Sequence, residues 1–557
     1  MRARGKEPSP SPPLPNKMTP ISRRRFLTLA ASSSLVACGR VPDFSRFTRW
    51  GLPIQVYMPG MAEGHRLRQP DFPAPSAEIS THVLILGSGV AGLGAAWQLA
   101  KSSTEFLLIE GPEFGGNAAE GQLGGQPYPR GAHYLPLPSK ESSHVRELLA
   151  EMGVIEHGAL SDSPHFNEAV LVHSPEDRLY INGQWQDGVV PQHGISSAEA
   201  QQTERFFALT EQLKTSLGSD GKRLFAVPLV LSSLDKKWRA LDSQSFADWL
   251  AAEQYTAPSL LWYLNYCCRE DYGSDLAHTS AWAGLHYFAS RNGHAANASN
   301  GAVLTWPNGL YPLIKYMAEK IPAGQRQSGM AYHVSETKDG VEALIFNTKT
   351  GQTQRIKAKK VIMAMPLHVT QKLLPLAPYG FLPEHMPEHA PWLISNFLLD
   401  GFPAESSTEA LAWDNVLYQG KGLGYVVASH QLIRAAKPAQ TVFTAYHALS
   451  DLTPKAARQW LQHASSDELY ELAASDLRHV YGWRWRQSIK SAEITLRGHA
   501  MATPSPGFLS NQGLAALRVQ NGKVLFAHSD LSGLSIFEEA LWWGCRAAKL
   551  AQGDSIS

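Results

Sequence analysis

The chain has 557 residues, 44% hydrophobic and 10% aromatic, with 50 Lys/Arg against 49 Asp/Glu for a formal net charge of +1. That length exceeds what one hydrophobic core usually fills, so two or more domains are expected. The balanced charge gives no support to a nucleic-acid partner or a large basic membrane-binding face; four cysteines, with no CxxC and no His/Cys run at ligand spacing, predict neither a disulfide framework nor a metal site.

Residues 1–38 read as an export leader. After a Pro- and Ser-rich tract at 8–15 comes Ser22-Arg23-Arg24-Arg25-Phe26-Leu27, intact also if translation begins at Met18. Twin arginines ahead of a short apolar stretch, residues 29–37, have the form of a twin-arginine (Tat) signal. Leu35-Val36-Ala37-Cys38 resembles a lipobox, in which cleavage leaves Cys38 as a lipidated N-terminus. The stretch falls short of the ~20 apolar residues needed to span a bilayer. The expected location is therefore periplasmic, with membrane contact only through the N-terminal lipid. Export of folded chains by this route suits a protein that loads its cofactor first. Seven basic residues and one Glu precede Cys38, leaving 43 basic and 48 acidic in the mature chain, a net charge of about −5. Residues 39–79, rich in Pro, are expected to form a tether and an extended arm.

Residues 82–110 carry the strongest local signal. An apolar run, Val83 to Leu86, meets Gly87-Ser88-Gly89-Val90-Ala91-Gly92; a small-residue helix follows, then a second apolar run, Phe106 to Ile109, ending in Glu110. Gly87 permits the tight strand-to-helix turn, Gly89 lets a pyrophosphate approach the backbone, and Gly92 lets helix and strand pack closely. Val90 and Ala91 open a helix whose unpaired N–H groups and dipole face the phosphates. Glu110 stands 18 residues past Gly92, near the spacing at which an acid meets a ribose hydroxyl pair. These residues predict a dinucleotide site.

Immediately after Glu110 come Gly115-Gly116-Asn117 and then Tyr128-Pro129-Arg130-Gly131-Ala132-His133-Tyr134. The stretch resembles the flavin amine oxidase superfamily, which includes amine oxidases, phytoene desaturases and protoporphyrinogen oxidases. The resemblance implies FAD, with Gly115 and Gly116 at the cofactor; Asn117 stands where the family usually has arginine. It also implies an α/β fold in which a discontinuous Rossmann-type FAD-binding domain receives an inserted α+β substrate-binding domain. The corresponding division is 80–140, 300–385 and 485–557 for the FAD-binding parts, with 141–299 and 386–484 for the substrate domain.

Further along, residues 196–217 read as a capped amphipathic helix, and 245–255 as another, both suited to a substrate domain. Residues 307–321 resemble the family's helix returning to the FAD domain. Residues 331–366 read as strand–turn–strand–turn–strand, with Asp339-Gly340 and Thr350-Gly351 at the turns. The family has such a meander, ending in VIxAxP, and Val334 is the residue expected near the adenine.

In the strand 389–398, Asn396 occupies by position the place of the family's flavin-N5 lysine. Leu496-Arg497-Gly498-His499-Ala500, leading to Pro504 and Pro506, is similar to the spermidine-dehydrogenase-like branch; the match would place His499 near the isoalloxazine, taking a proton while hydride passes to flavin. Residues 524–551 match the closing motif: a short strand, Asp530 at the ribityl–pyrophosphate region, and a helix from about Phe537 aimed at the flavin N1–C2=O edge. Ile536, with Phe537 beside it, stands where an aromatic-cage residue is usual. Trp282, Trp306, Trp542, Trp543 and Tyr266 suit either the core or an apolar substrate cavity. No cysteine falls near the family's flavin-tethering position, so FAD is expected to be noncovalent.

Three readings follow. One is an FAD-dependent oxidation of an amine, foremost a polyamine, with O₂, a quinone or a cytochrome as electron acceptor. Another is a desaturase of an apolar isoprenoid or tetrapyrrole substrate. A third is a noncatalytic flavoprotein serving as a binding or assembly factor. Carboxylates at the pocket favour the first; a long dry tunnel without them favours the second.

Overall fold

The computed structural model describes residues 45–554, apart from residues 70, 406–408, 434–435 and 437. Arg23, Arg24 and Cys38 lie outside the described residues.

Apolar runs that carry no alternating polar face pack as parallel strands covered on both sides. Phe106–Ile109, Val524–Phe526 and the last residues of Pro75–Leu86 and Gln352–Met363 do so, and the last four residues before Gly87 are all fully buried. They belong to a seven-stranded sheet running Arg326–Gln327, Phe106–Ile109, Pro75–Leu86, Gln352–Met363, Val341–Asn347, Met330–Glu336, with Val524–Phe526 paired to Gln352–Met363. The registers Leu86↔Ile109, Met363↔Leu86 and Met363↔Phe526 bring four strand ends level. Gly87, Glu110, Ala364 and Ala527 therefore emerge along one edge, the carboxyl edge at which such sheets bind ligands. The meander has the strands expected from the turn residues, and Gly351 takes φ +70°.

Small residues let the first helix lie close to the last. A Cβ on Gly94 of Val90–Ala100 would come 2.6 Å from Leu541 Cδ1, and one on Gly544 of Phe537–Gln552 would come 2.1 Å from the Ala91 carbonyl. The ends of the chain thus meet in one core.

A nine-stranded sheet forms the other half, in the order Ser45–Phe47, Pro53–Tyr57, Ile489–Ala502, His389–Asp400, Gln440–Ala448, Tyr425–Val427, Asp414–Leu417, Asp177–Ile181, Gln184–Asp187. Ile489–Ala502, grouped by sequence with the closing FAD segment, is hydrogen-bonded into this sheet, and the arm contributes its first two strands. Helices cover it. Ser197–Thr215 begins with a complete capping box, Ser196 with Glu199, and Phe246–Ala252 is capped by Ser245. With Pro258–Tyr272 and Ala281–Ser290 they bury Phe206, Trp249, Leu260 and Trp282. Among the described residues, no helix is long and apolar enough to cross a membrane. Cys267, Cys268 and Cys545 are buried free thiols.

Candidate functional site

The dinucleotide cradle follows from steric limits at three glycines. Gly87 takes φ +111°, and a Cβ there would stand 2.4 Å from the Ala364 carbonyl oxygen. A Cβ on Gly92 would fall 1.8 Å from the Gly87 carbonyl, so strand and helix approach as only glycine allows. Gly89 differs: it N-caps Val90–Ala100 without a side-chain cap, and nothing lies within 4 Å of its would-be Cβ. Open space therefore faces the uncapped N–H groups of Val90 and Ala91, which fits a pyrophosphate. Gly115 donates its N–H to the Ser88 carbonyl at 2.9 Å, and Gly116 closes the other side, its would-be Cβ 3.4 Å from the Gly89 Cα.

At the ribose end, Glu110 receives Arg326 Nε at 3.0 Å and Ser328 Oγ at 2.7 Å. Both partners come from the segment that pairs with the Glu110 strand, and neither was visible in the motif. They fix the carboxylate while leaving lone pairs for ribose hydroxyls. Gly111 donates to the Gly329 carbonyl at 3.0 Å, which sets Met330 beside this corner. Val334 is buried in the same strand four residues on, ~13 Å at the usual strand rise. The structure does not bring Val334 to Glu110.

Asp530 is fully buried and turned inward. Its carboxylate accepts the Leu367 N–H at 2.8 Å and His389 Nε2 at 3.0 Å. Burial would raise its pKa, but the facing His528 and His389 outweigh burial and hold it well below the ordinary carboxylate range. Burial likewise lowers His389, and the Asp530 charge overcomes this to raise it.

His499 is exposed and absent from the walls of the large cavity, which Arg497, Ala500 and Met501 line. The register between Ile489–Ala502 and His389–Asp400 slips there: Arg497 pairs with Trp392 and Met501 with Ala390. The bulge at Gly498–Ala500 breaks the alternation and re-aims His499. Its ring stacks on His368, centroids 4.3 Å apart at 25°, with His389 edge-on to His368 at 5.0 Å. Ring nitrogens of the three lie within 4.8 Å of one another. Near-parallel stacking keeps in-plane lone pairs side by side rather than convergent, and Arg458 and Arg68 bear on His499, so the cluster is poorly disposed to hold a cation. Burial lowers His368 to about 2; one face of the His499 ring is covered by His368 although the residue's edge is exposed, and this desolvation, with Arg458 next, lowers His499 to about 4. Asn396 is fully buried, accepts Thr444 Oγ1 at 2.7 Å, and lies beyond Trp392 and Ile394, which share its face and do line the cavity.

That cavity, ≈ 1270 Å³ when its opening to solvent is included, joins the cradle to the helical layer. The N-terminus of Phe537–Gln552 opens onto it through Ser535, Ile536, Phe537 and Glu538. Arg497 brings a cation beside the position of Asn117: its guanidinium donates to the Gly116 carbonyl at 3.3 Å and pairs with Glu113. Asn117 Nδ2 instead donates to the Ala500 carbonyl at 2.7 Å. The aromatic wall is His133 stacked on Tyr446 at 4.4 Å, with Tyr134 and Trp392. Burial drives His133 down to about 3 and leaves it neutral. Of the aromatics weighed from sequence, Tyr266 lines the cavity; Trp282 and Trp543 are core, and Trp306 and Trp542 pack against the core of the seven-stranded sheet.

The floor is acidic, which no motif announced. Pro258–Tyr272 presents Glu270 and Asp271, and the facing strand Asp414–Leu417 presents Asp414. Tyr134 donates to Glu270 at 2.6 Å, and Arg291 pairs with Asp271 at 2.5 Å. Burial, then Asp271, raises Glu270; burial raises Asp271 against the pull of Arg291. Asp414 is raised well above its ordinary value by burial, then by Asp177 and Glu270. Burial also lifts Glu538, at the helix N-terminus, to about 7. Four carboxyl groups thus share the cavity with one guanidinium not already committed elsewhere, that of Arg291, since Arg497 is paired with Glu113.

The family model for flavin-containing amine oxidoreductases matches residues 90–550. No curated protein sequence matches the chain. Among solved structures, a double mutant of putrescine oxidase is similar over 86% of this chain and 100% of its own, with a TM-score of 0.64 and 16% identity. Putrescine oxidase bound to putrescine gives 0.61 and 16% over 85% and 98%. Cyclohexylamine oxidase from Brevibacterium oxydans gives 0.56 and 18% over 85% and 99%.

Proposed function

The chain belongs to the flavin-containing amine oxidoreductase family and is an FAD-dependent oxidoreductase; from that premise we propose that its substrate is an amine with more than one cationic nitrogen, a diamine or polyamine. The observation that carries this is the cluster of Glu270, Asp271 and Asp414 in the cavity. A buried carboxylate without a counter-charge is disfavoured, and an ammonium entering the pocket supplies one. At ~4 Å and an effective dielectric near 20 the attraction is about 4 kcal/mol. An apolar desaturase substrate would leave Glu270 and Asp414 held in the neutral form by burial, with no partner for their charge.

Bound FAD accepts the two electrons lost when the C–N bond is oxidised. The chain's residues prepare that event. His133, Tyr446 and Trp392 form an apolar wall that excludes water and orients the substrate carbon chain. Glu270, fixed by Tyr134, holds the distal ammonium. Glu538, balanced near neutrality by burial, is suited to take a proton at a carboxylate oxygen from the nitrogen entering beside the helix N-terminus. None of the three described cysteines lines the cavity, which supports noncovalent FAD.

The twin arginines and Cys38 support a periplasmic, lipid-anchored location, where O₂, a quinone or a cytochrome would reoxidise the flavin. Anaerobic titration of the FAD-loaded protein with putrescine, spermidine and cyclohexylamine tests the substrate assignment. Loss of oxidised-flavin absorbance with the polyamines is expected; bleaching by dithionite alone would overturn it.

A further inference from the structure

Two tryptophans are displayed on one surface by elements that hold them still. Trp50, 54% exposed, sits at the tip between Ser45–Phe47 and Pro53–Tyr57. Trp483, 66% exposed, opens the short helix Trp483–Ser488. That helix is fixed from beneath: Trp485 is buried, its Nε1 donates to the Tyr470 hydroxyl at 3.2 Å, and its ring meets Phe397 edge-on at 5.2 Å.

Arginines tie the two tryptophans into one patch. The Arg486 guanidinium lies 5.0 Å from the Trp50 ring centroid, and Arg49 lies 4.6 Å from it. Trp483 and Arg486, three residues apart, share a helix face. Arg484 is 5.8 Å from the Trp483 centroid. Of the nearby acids, Glu471 pairs with Arg49 and Arg478 and Asp400 with Lys490, while the Asp467 carboxylate accepts the Arg49 backbone N–H at 2.9 Å. Arg484 donates to the Ala404 carbonyl at 3.4 Å, and neither it nor Arg486 has an ion pair among the described residues, which leaves both charges open to an anion.

We propose that this Trp/Arg patch rests on an anionic phospholipid surface. Amphipathic indole rings settle at headgroup depth, and the two spare guanidinium groups face lipid phosphates. Chain continuity points the same way. Ser45 lies seven residues after Cys38, a reach of at most ~25 Å, so a lipid at Cys38 would hold Ser45, which opens the hairpin bearing Trp50, within that reach of a bilayer. That part of the argument rests on the lipid-anchor reading; the patch itself does not. Membrane contact then extends beyond the N-terminal lipid that the sequence predicts.

The test uses the full chain carrying Cys38→Ala, loaded with FAD and co-sedimented with vesicles. Phosphatidylglycerol–phosphatidylethanolamine vesicles should retain it and phosphatidylcholine vesicles should not, with release at high salt. Arg484→Glu with Arg486→Glu should weaken binding by about fivefold per arginine or more, and Trp50→Ala with Trp483→Ala should also weaken it. Unchanged flavin absorbance confirms that the variants are folded. Equal binding to both vesicle types, or variants that bind as the parent does, would overturn the proposal; both variants keep the leader, so binding by the leader alone appears as the second outcome. Fractionation of cells bearing intact Cys38 tests the anchor separately. A soluble wild-type chain that still binds anionic vesicles would remove the anchor and leave the patch.

Discussion

Arg497 and Glu113 form a two-pronged ion pair, with N···O distances of 2.9 and 3.0 Å, between residues 384 positions apart. Glu113 follows the nucleotide strand, and Arg497 lies on the nine-stranded sheet. The pair therefore clamps the cradle to the substrate half at the point where the Gly116 carbonyl also receives Arg497. Replacing Arg497 by Met leaves Glu113 nearly buried without a partner, a change that costs about 3–5 kcal/mol in such pairs. We expect a lower Tm and loss of flavin during gel filtration; unchanged flavin retention would show that the clamp does not hold the cofactor site.

Gly89 and Gly92 should fail in different ways. A side chain at Gly89 meets open space, so Gly89→Val should fold yet lose FAD, because the added groups occupy the phosphate position. Gly92→Ala places a Cβ 1.8 Å from a backbone carbonyl, and should destabilise the apoprotein as well. Circular dichroism melts of the two apoproteins, beside the visible spectrum of each preparation, separate these outcomes.

Glu270→Gln keeps the hydrogen bond from Tyr134 within reach while removing the charge. A charge-assisted contact contributes about 1.5–3 kcal/mol, so KM for a diamine should rise roughly ten- to a hundredfold. The KM for a monoamine should change little. Equal effects on both substrates would argue that Glu270 shapes the pocket without reading the second ammonium.

The His389–Asp530 pair sets a pH window. His389 is raised by folding, so its contribution is complete below its ordinary 6.5 and is lost as pH climbs through the raised value. Asp530 is depressed, so its contribution is complete above its ordinary 3.8 and is lost as pH falls through the lower value. The advantage of the parent over His389→Gln in thermal stability should therefore be greatest between about pH 4 and 6.5 and shrink towards pH 9. A gap that widens with alkaline pH would contradict the charged-pair account.

Arg23→Lys together with Arg24→Lys should retain the precursor in the cytoplasm. Periplasmic accumulation at the parent level, measured by immunoblot of fractions, would exclude twin-arginine export.

The cradle was readable in sequence because its demands are local. A backbone that must turn at Gly87 and pack at Gly92 states this in adjacent residues, and strand, helix and Glu110 follow at fixed spacing. The acidic floor was not readable, since Glu270 and Asp414 are 144 positions apart and meet only through the register of a sheet and the facing helix. Arg497 was passed over for a related reason: the cation beside Gly116 comes from a strand nearly 400 residues later. His499 differs: its motif pointed to the isoalloxazine, while the bulge at Gly498–Ala500 sets its ring on His368 and outside the cavity lining, and bulges leave no dependable periodic trace.

The contact of Val90–Ala100 with Phe537–Gln552 imposes an order on biosynthesis. The helix that opens the nucleotide motif has its close-packed partner some 450 residues downstream. At ~5–20 residues per second, a ribosome needs roughly 20–90 s to deliver that partner. During this interval the strands Pro75–Leu86 and Phe106–Ile109 are exposed without their covering helix. The cradle and its closing helix therefore come together only at the end of synthesis, and the complete cofactor site is a property of the finished chain.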